Sequence, residues 1–279
     1  MNSISLSQVS ENVKDLPTLP VIVMELLNNI DDEELNIQLL AHKVSNDLAL
    51  TAKTLRYVNS AYYSTMIKVT TIQQAISMMG MSTVKQIIMS AALSGCFPEK
   101  NCKGFSHKVF WQHSNAVAIA AKMLAKRLNF NVDVAFTAGL LHDIGTLVLV
   151  TQYPEKYEAT LVYKNEHQTS QLDAERHVLG IDHTAVGAAL AVEWNFSDVM
   201  KNAIRGHHQP ENPGLGFLAT IIHMANGIAH ALENKPSSDG QMVEVSALSW
   251  KNLNLDQASI DELMCDTAAE LAQIVQDDL

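Results

Sequence analysis

Five histidines in the later part of the chain, His113, His142, His183, His207 and His208, supply the residue type most able to do chemistry here. The intervals separating them, apart from the final pair, are too long for one helix, so only a tertiary fold could bring them together. His142 has an acidic neighbour, Asp143, in Ala138-Gly139-Leu140-Leu141-His142-Asp143-Ile144-Gly145. Successive helical residues point about 100° apart. The doublet can therefore share an ion only where a helix ends and the backbone relaxes, and Gly145 is expected to supply that end. Imidazole nitrogen together with carboxylate oxygen suits Fe, Mn or Zn better than Ca or Mg. Plainer readings stand beside this one. A His-Asp doublet also serves as a cap or a surface pair, and His207-His208 before Gln209-Pro210 could be cations near a helix C-terminus, favoured by the macrodipole. His42, His107, His167, His177, His223 and His230 have no pattern around them and read as ordinary polar positions.

The elements that must position these residues are helical. Val21, Met24, Leu27 and Ile30 recur at three-residue spacing after Leu16-Pro17-Thr18-Leu19-Pro20, and Asp31 to Glu34 form a charged connector. Leu35, Leu39, Leu40 and Val44 mark a second helix. Asn46-Asp47 caps a third, and Gly80 closes a helix over Gln73 to Met79 before Ser82 opens the next. Cys96 to Ser106 is polar and carries breakers, which predicts a lobe boundary near Phe97 to Phe105. A long helix from about Phe105 to Leu128 follows, then shorter ones up to His208, and another over Leu215 to Glu233. Lys235-Pro236-Ser237-Ser238-Asp239-Gly240 reads as a linker. A last amphipathic helix carries Ile260, Leu263, Met264, Ala268, Leu271 and Val275 on its apolar face. The expected fold is all-α, a helical bundle of two lobes. Residues 1–100 form the first lobe, 101–234 a core with the histidine cleft, and 235–279 the linker and an acidic C-terminal helix.

Composition agrees with a packed helical protein. Of 279 residues 47% are hydrophobic and 18% charged, with only 12 Gly and 7 Pro, so neither a disordered chain nor a turn-rich sandwich fits. The apolar runs read as too short for a membrane span, and the amino terminus lacks a signal-like pattern. A net charge of -11 with no clustered Lys or Arg argues against a grip on nucleic acid. Seven acidic residues and no Lys or Arg lie between Asp256 and Leu279, as a solvated helix face or a surface for a basic partner. Three cysteines without a C-x-x-C pair are expected as reduced thiols. These features predict a cytoplasmic protein with no nucleic-acid or membrane partner.

Several ordered motifs give the chain a family likeness. Leu16 to Pro20, Ser45 to Lys53, Asn59 to Tyr63 and Ile72 to Gly80 resemble the HDOD family, the HD-related output domains of bacterial signalling proteins. Trp111-Gln112-His113-Ser114, His142-Asp143-Ile144-Gly145, His183-Thr184-Ala185-Val186-Gly187 and Ala203 to His208 look like the core of HD-type phosphohydrolases, including HD-GYP-like histidine motifs. The likeness covers roughly Leu16 to Ala231. It implies one ion held by His113, His142, Asp143 and the residue at Asn226, where relatives carry Asp. It implies a second ion held by His183, His207 and His208, with Asp143 bridging.

Three departures count against catalysis. Asn226 is neutral, Thr146 stands where HD-GYP relatives usually have Lys, and Gln209 to Gly214 replaces their Gly-Tyr-Pro segment. A cyclic di-GMP phosphodiesterase is not supported. If the chain is a hydrolase, Asp143, Lys201 and Arg205 are the candidate catalytic residues, the two cations serving a substrate phosphate. The reading preferred from sequence is a signalling module that binds a separate signalling protein, with a metal, nucleotide or phosphate in the cleft. The alternative is a metal-dependent phosphohydrolase acting on a nucleotide or phosphoester. A purely structural helical domain is the third.

Overall fold

The structure is a computed structural model that describes residues 4, 5, 8, 11, 19–28, 37–59, 68–97, 99–233, 249, 253 and 255–274. Residues 16–18, 30–35, 60–63, 235–240 and 275, which carry parts of the motifs, helices, connector and linker read above, lie outside them. All regular structure among the described residues is helical. The chain runs α1 (Val21–Asn28), α2 (Ile37–Ser45), α3 (Leu48–Val58), α4 (Ile72–Met79), α5 (Met81–Cys96), α6 (His107–Arg127), α7 (Val132–Leu141) and α8 (Ile144–Gln152). It continues as α9 (Pro154–His167), α10 (Gln171–Leu179), α11 (His183–Glu193), α12 (Asp198–Gly206), a 3₁₀ turn at Pro213–Leu215, α13 (Gly216–Glu233) and α14 (Gln257–Ile274).

Short polar side chains fix many of the helix starts. Asp47, Thr71, Ser106, Asn131, Ser170, Asp182 and Ser197 each accept a hydrogen bond from a first-turn backbone N–H. Gly80, at φ 84°, is both the end of α4 and the start of α5, so Ser82 does not open that helix. Helices α6 and α7 form a tight antiparallel pair joined at Asn129, whose φ is 52°. Their closeness comes from small residues: a Cβ on Gly139 would stand 2.8 Å from Ala118 Cα. The buried alanines 116, 118, 120, 121 and 125 line the same helix. Helix α13 packs across α6, α12 against α13, and α11 against both α12 and α8. Buried apolar side chains from Ile4 to Leu263 make one continuous core.

Two sequence expectations need correction here. Gly145 does not end a helix. The first helix ends at Leu141, His142 and Asp143 form the turn, and Gly145 lies inside the first turn of α8. It is glycine for contact: a Cβ there would overlap the His183 carbonyl and the Gly187 backbone. The second correction concerns apolar length. Val132–Gln152 is apolar and long enough to cross a membrane by composition, but it is broken by the His142–Asp143 turn and almost wholly buried as core.

The acidic C-terminal helix meets its basic partner within the chain. Lys122 on α6 pairs with Glu270 at 2.6 Å, and Arg127 pairs with Glu262 and donates to the Ser259 carbonyl at 2.8 Å. Cys96, Cys102 and Cys265 are all free thiols.

Candidate metal centre

Helix ends bring the chemistry together. His142 and Asp143 occupy the α7–α8 turn, His183 is the first residue of α11, and His207 and His208 follow the last residue of α12. His113 reaches in from α6, and Asn226 from α13. Asp143 stands at the N-cap position of α8, where the helix dipole favours an anion, yet its carboxylate makes no capping bond. It is turned toward the histidines instead.

The hydrogen bonds behind the rings fix their orientation. His142 Nδ1 donates to the Gly139 carbonyl at 2.7 Å, and His207 Nδ1 to the Ile204 carbonyl at 2.9 Å. His183 Nδ1 donates to Glu175 Oε2 at 2.7 Å. Carbonyl and carboxylate oxygens only accept, so Nδ1 holds the proton on all three rings. Each Nε2 then faces inward, 3.4, 3.2 and 3.3 Å from an Asp143 carboxylate oxygen for His142, His207 and His183. His208 Nε2 lies 3.2 Å from His183 Nε2. The ligating atoms of Asp143, His183, His207 and His208 fall within 4.8 Å of one another, and so do those of His113, His142 and Asp143.

This convergence fits a divalent ion. His142 Nε2, His207 Nε2 and Asp143 Oδ1 are buried and make no aligned hydrogen bond. A buried polar atom without a partner costs about 1–3 kcal/mol. A metal ion would sit among these lone pairs and the Asp143 carboxylate. Oxygen partners that accept the Nδ1–H on the far side of each ring are the arrangement that metal-binding histidines use. Three imidazoles and a carboxylate favour a transition metal over Ca or Mg.

The electrostatics follow from burial and neighbours. Burial opposes charge on Asp143, but His142, His183 and His207 outweigh it and hold its carboxyl well below the usual range. Burial likewise opposes charge on His183, and Glu175 and Asp143 overcome it, raising the pKa to about 9. His207 is pushed down to about 4 by burial against the pull of Asp143, and His208 is lowered by burial and by its imidazole neighbours. Both shifts favour neutral imidazoles over cations on the α12 dipole.

The first ligand set is looser. His113 Nδ1 points outward to Glu233, at 2.9 and 3.1 Å from its two oxygens, while its ring centroid stands 5.4 Å from that of His142. Burial lowers its pKa, but Glu233 outweighs this and raises it. Asn226 is buried beside His113, and its amide oxygen makes no aligned hydrogen bond. Lys201 pairs with Asp198 on its own helix at 2.7 Å and Arg205 is exposed. Among the described residues, no hydrogen bond or ion pair joins either cation to the cleft.

Three contributors escaped the sequence reading. Glu175, on α10, is fully buried and accepts from both His183 Nδ1 and its backbone N–H, each at 2.7 Å. His230, read above as ordinary, lies with its ring centroid 4.6 Å from that of His113, and Glu233 binds His113. Asn226, His230 and Glu233 fall at i, i+4 and i+7 on α13, a helical stripe that could have flagged them.

Comparison with known proteins places this architecture. A crystal structure of a candidate phosphohydrolase from Shewanella amazonensis SB2B matches with TM-score 0.77 and 28% identity, over 95% of this chain and 96% of that one. An HDOD domain protein of unknown function from Geobacter sulfurreducens shares the fold at TM-score 0.79 and 23% identity, over 96% and 97% of the two chains. Among curated proteins, an uncharacterized protein of Treponema pallidum is 25% identical over 72% of this chain and 39% of its own length. Ribonuclease Y of Geobacter sulfurreducens is 29% identical over 50% of this chain and 21% of its own. The chain thus spans well under half the length of these curated relatives. The HDOD domain model matches residues 16–210, taking in the motif-bearing helices together with His113, His142, Asp143, His183, His207 and His208, and the chain belongs to the HDOD family.

Proposed function

We propose that the chain is a signalling module that works mainly by binding another protein, with residues 1–100 as the binding lobe. The histidine cleft holds one or two divalent ions as an internal brace, through His142, Asp143, His183, His207 and His208, with His113 and Asn226 beside them. A bound ion would supply a Lewis acid there. The residues around it orient the ligands but offer a phosphate little. Phosphoryl transfer depends on cations aimed at the developing oxyanion. The observation that carries the reading is that, among the described residues, no hydrogen bond or ion pair joins Lys201 or Arg205 to the cleft, and Lys201 pairs with the exposed Asp198 instead.

A second reading, a metal-dependent phosphohydrolase, draws support from the convergence of six candidate ligands and from relatives named phosphohydrolase and ribonuclease. The test is turnover of cyclic di-GMP, bis(p-nitrophenyl) phosphate and a short RNA by the metal-loaded full chain. Expected rates fall orders of magnitude below the ~10 s⁻¹ typical of enzymes. Asn226→Asp should raise them. It is a cleaner variant than Thr146→Lys, because Thr146 is buried next to Tyr157. Ordinary enzyme rates in the unmodified protein would hand the assignment to the hydrolase.

A further inference from the structure

We propose that His113, His230 and Glu233 form a separate divalent-metal site at the mouth of the cleft, a two-histidine, one-carboxylate set suited to zinc. The proposal does not depend on an ion held by Asp143, His183, His207 and His208, although His113 also belongs to the set with His142 and Asp143.

The ligand spacing is already close to what zinc requires. Zn–N bonds of about 2.0–2.1 Å in a tetrahedron place neighbouring ligand atoms ~3.3 Å apart. His113 Nδ1 stands 2.9 and 3.1 Å from the two Glu233 oxygens, and His230 Nδ1 stands 3.8 Å from Glu233 Oε2. These separations bracket the tetrahedral value, and all three ligand atoms lie within 4.8 Å of one another. Small side-chain shifts would admit the ion.

The scaffold holds the set without help from loops. His230 and Glu233 are three residues apart on α13, and His113 is on α6, the helix against which α13 packs. Sites on packed helices keep their geometry better than sites on loops. The set is also reachable. The side chains of His230 and Glu233 are 37% and 39% exposed, so an ion can enter from solvent and keep a position for water or a further ligand.

A plain His113–Glu233 ion pair joining two helices accounts for only part of this. It needs one imidazole. The second, His230, lies with its ring 4.6 Å from that of His113 and tilted 34° to it, an arrangement that adds nothing to the pair. A metal ion uses all three groups. Glu with two histidines is a known catalytic-type zinc set that leaves the fourth position open.

The chemistry also separates the mouth from the cleft. The cleft gathers Nε2 atoms of His142, His183 and His207 around Asp143, whereas the mouth takes Nδ1 of His113. Asn226, one turn before His230 on the same helix, supplies only a neutral amide between the two.

The test uses the full chain, loaded with Zn²⁺ or Co²⁺ in competition with a chelator, for the unmodified protein and for His230→Ala, Glu233→Gln and Asp143→Asn. Both mouth positions are over a third exposed, so those variants should fold, with helical circular dichroism as the check. The expected result is loss of one tightly bound equivalent, or at least tenfold weaker binding, in His230→Ala and in Glu233→Gln. The visible Co²⁺ bands of a low-coordinate site should fade in both variants and persist in Asp143→Asn. Unchanged stoichiometry and an unchanged Co²⁺ spectrum in His230→Ala would overturn the mouth site. Asp143→Asn that retained every equivalent would instead sink the cleft ion and leave the mouth standing.

Discussion

Replacing Glu175 by Gln isolates the role of a single buried charge. The carboxylate is completely buried and receives four donors. His183 Nδ1 and the His183 backbone N–H reach one oxygen at 2.7 Å each, and Tyr157 Oη and Gln171 Nε2 reach the other at 3.3 and 3.2 Å. Glutamine has nearly the same shape. With its oxygen toward His183, its amide would face Tyr157 and Gln171, a hydroxyl that can turn to accept and an amide that can flip. The fold should therefore survive. What disappears is the charge that holds the His183 proton on Nδ1 and makes Nε2 a strong donor. Losing such an outer partner typically weakens metal binding 10–100-fold, or about 1.4–2.8 kcal/mol at 1.4 kcal/mol per decade. Glu175→Ala should cost more in stability, since it strands the buried His183 N–H at about 1–3 kcal/mol. Chelator competition with Zn²⁺ or Mn²⁺ reads the affinity, and thermal unfolding of the metal-free variant reads the fold. A Glu175→Gln protein with wild-type melting and affinity within twofold of wild type would refute the assignment of Glu175 as the positioning residue for His183.

Further expectations concern the supports around the cleft. Asp182→Ala should destabilise by about 0.5–2 kcal/mol, because Asp182 caps α11 through Ala185 and is held by Arg176 at 2.8 Å. Denaturant unfolding measures it. Burial opposes the Asp182 charge, but bonds from Thr184, Ala185 and Arg176 prevail and lower its pKa. Its stability contribution is thus complete above the unfolded value of about 3.9 and lost as pH falls through the lower folded value. Asp182→Asn should flatten that acid limb in a pH series of melts. Gly145→Ala forces a methyl into the His183 carbonyl and should destabilise and weaken metal loading together; a stable, fully loaded variant would show that α8 and α11 can separate. Lys122→Ala, which breaks a partly buried pair with Glu270, should cost about 1 kcal/mol or less by unfolding.

The sequence showed local features well and spatial ones unevenly. The long helices α6, α13 and α14 were legible because their apolar stripes repeat every three to four residues, and His142-Asp143 announced itself as a doublet. The role of Gly145 was misread because a glycine after a polar pair looks like a helix stop. Only the approach of α11 reveals that the missing Cβ is a packing requirement. Glu175 left no trace, since its partner lies eight residues away across a turn and a buried carboxylate looks in sequence like an exposed one. His230 and Glu233 were readable in principle from their register with Asn226. They were passed over because the meaning of that stripe depends on which helix it faces, here α6 with His113. The apolar stretch from Val132 to Gln152 passes for a span by composition, and only the His142–Asp143 turn makes it two core helices.

The meeting of α8 and α11 at Gly145 and Gly187 limits how the cleft can move. With backbone set against backbone, sliding one helix by a residue, about 1.5 Å, would drive Ile144 or Thr146 into the space a glycine leaves. Gly187 is also closed toward α12, since a Cβ there would lie 2.9 Å from Ile204 Cγ2. The turns bearing Asp143, His183 and His207 are thus joined as a fixed frame, not as two jaws. An ion entering such a frame meets ligands already in position and changes the rigidity of the helix ends more than their spacing. The difference between loaded and empty protein should therefore register as hydrogen-exchange protection at these three turns, with little displacement of the helices that carry them.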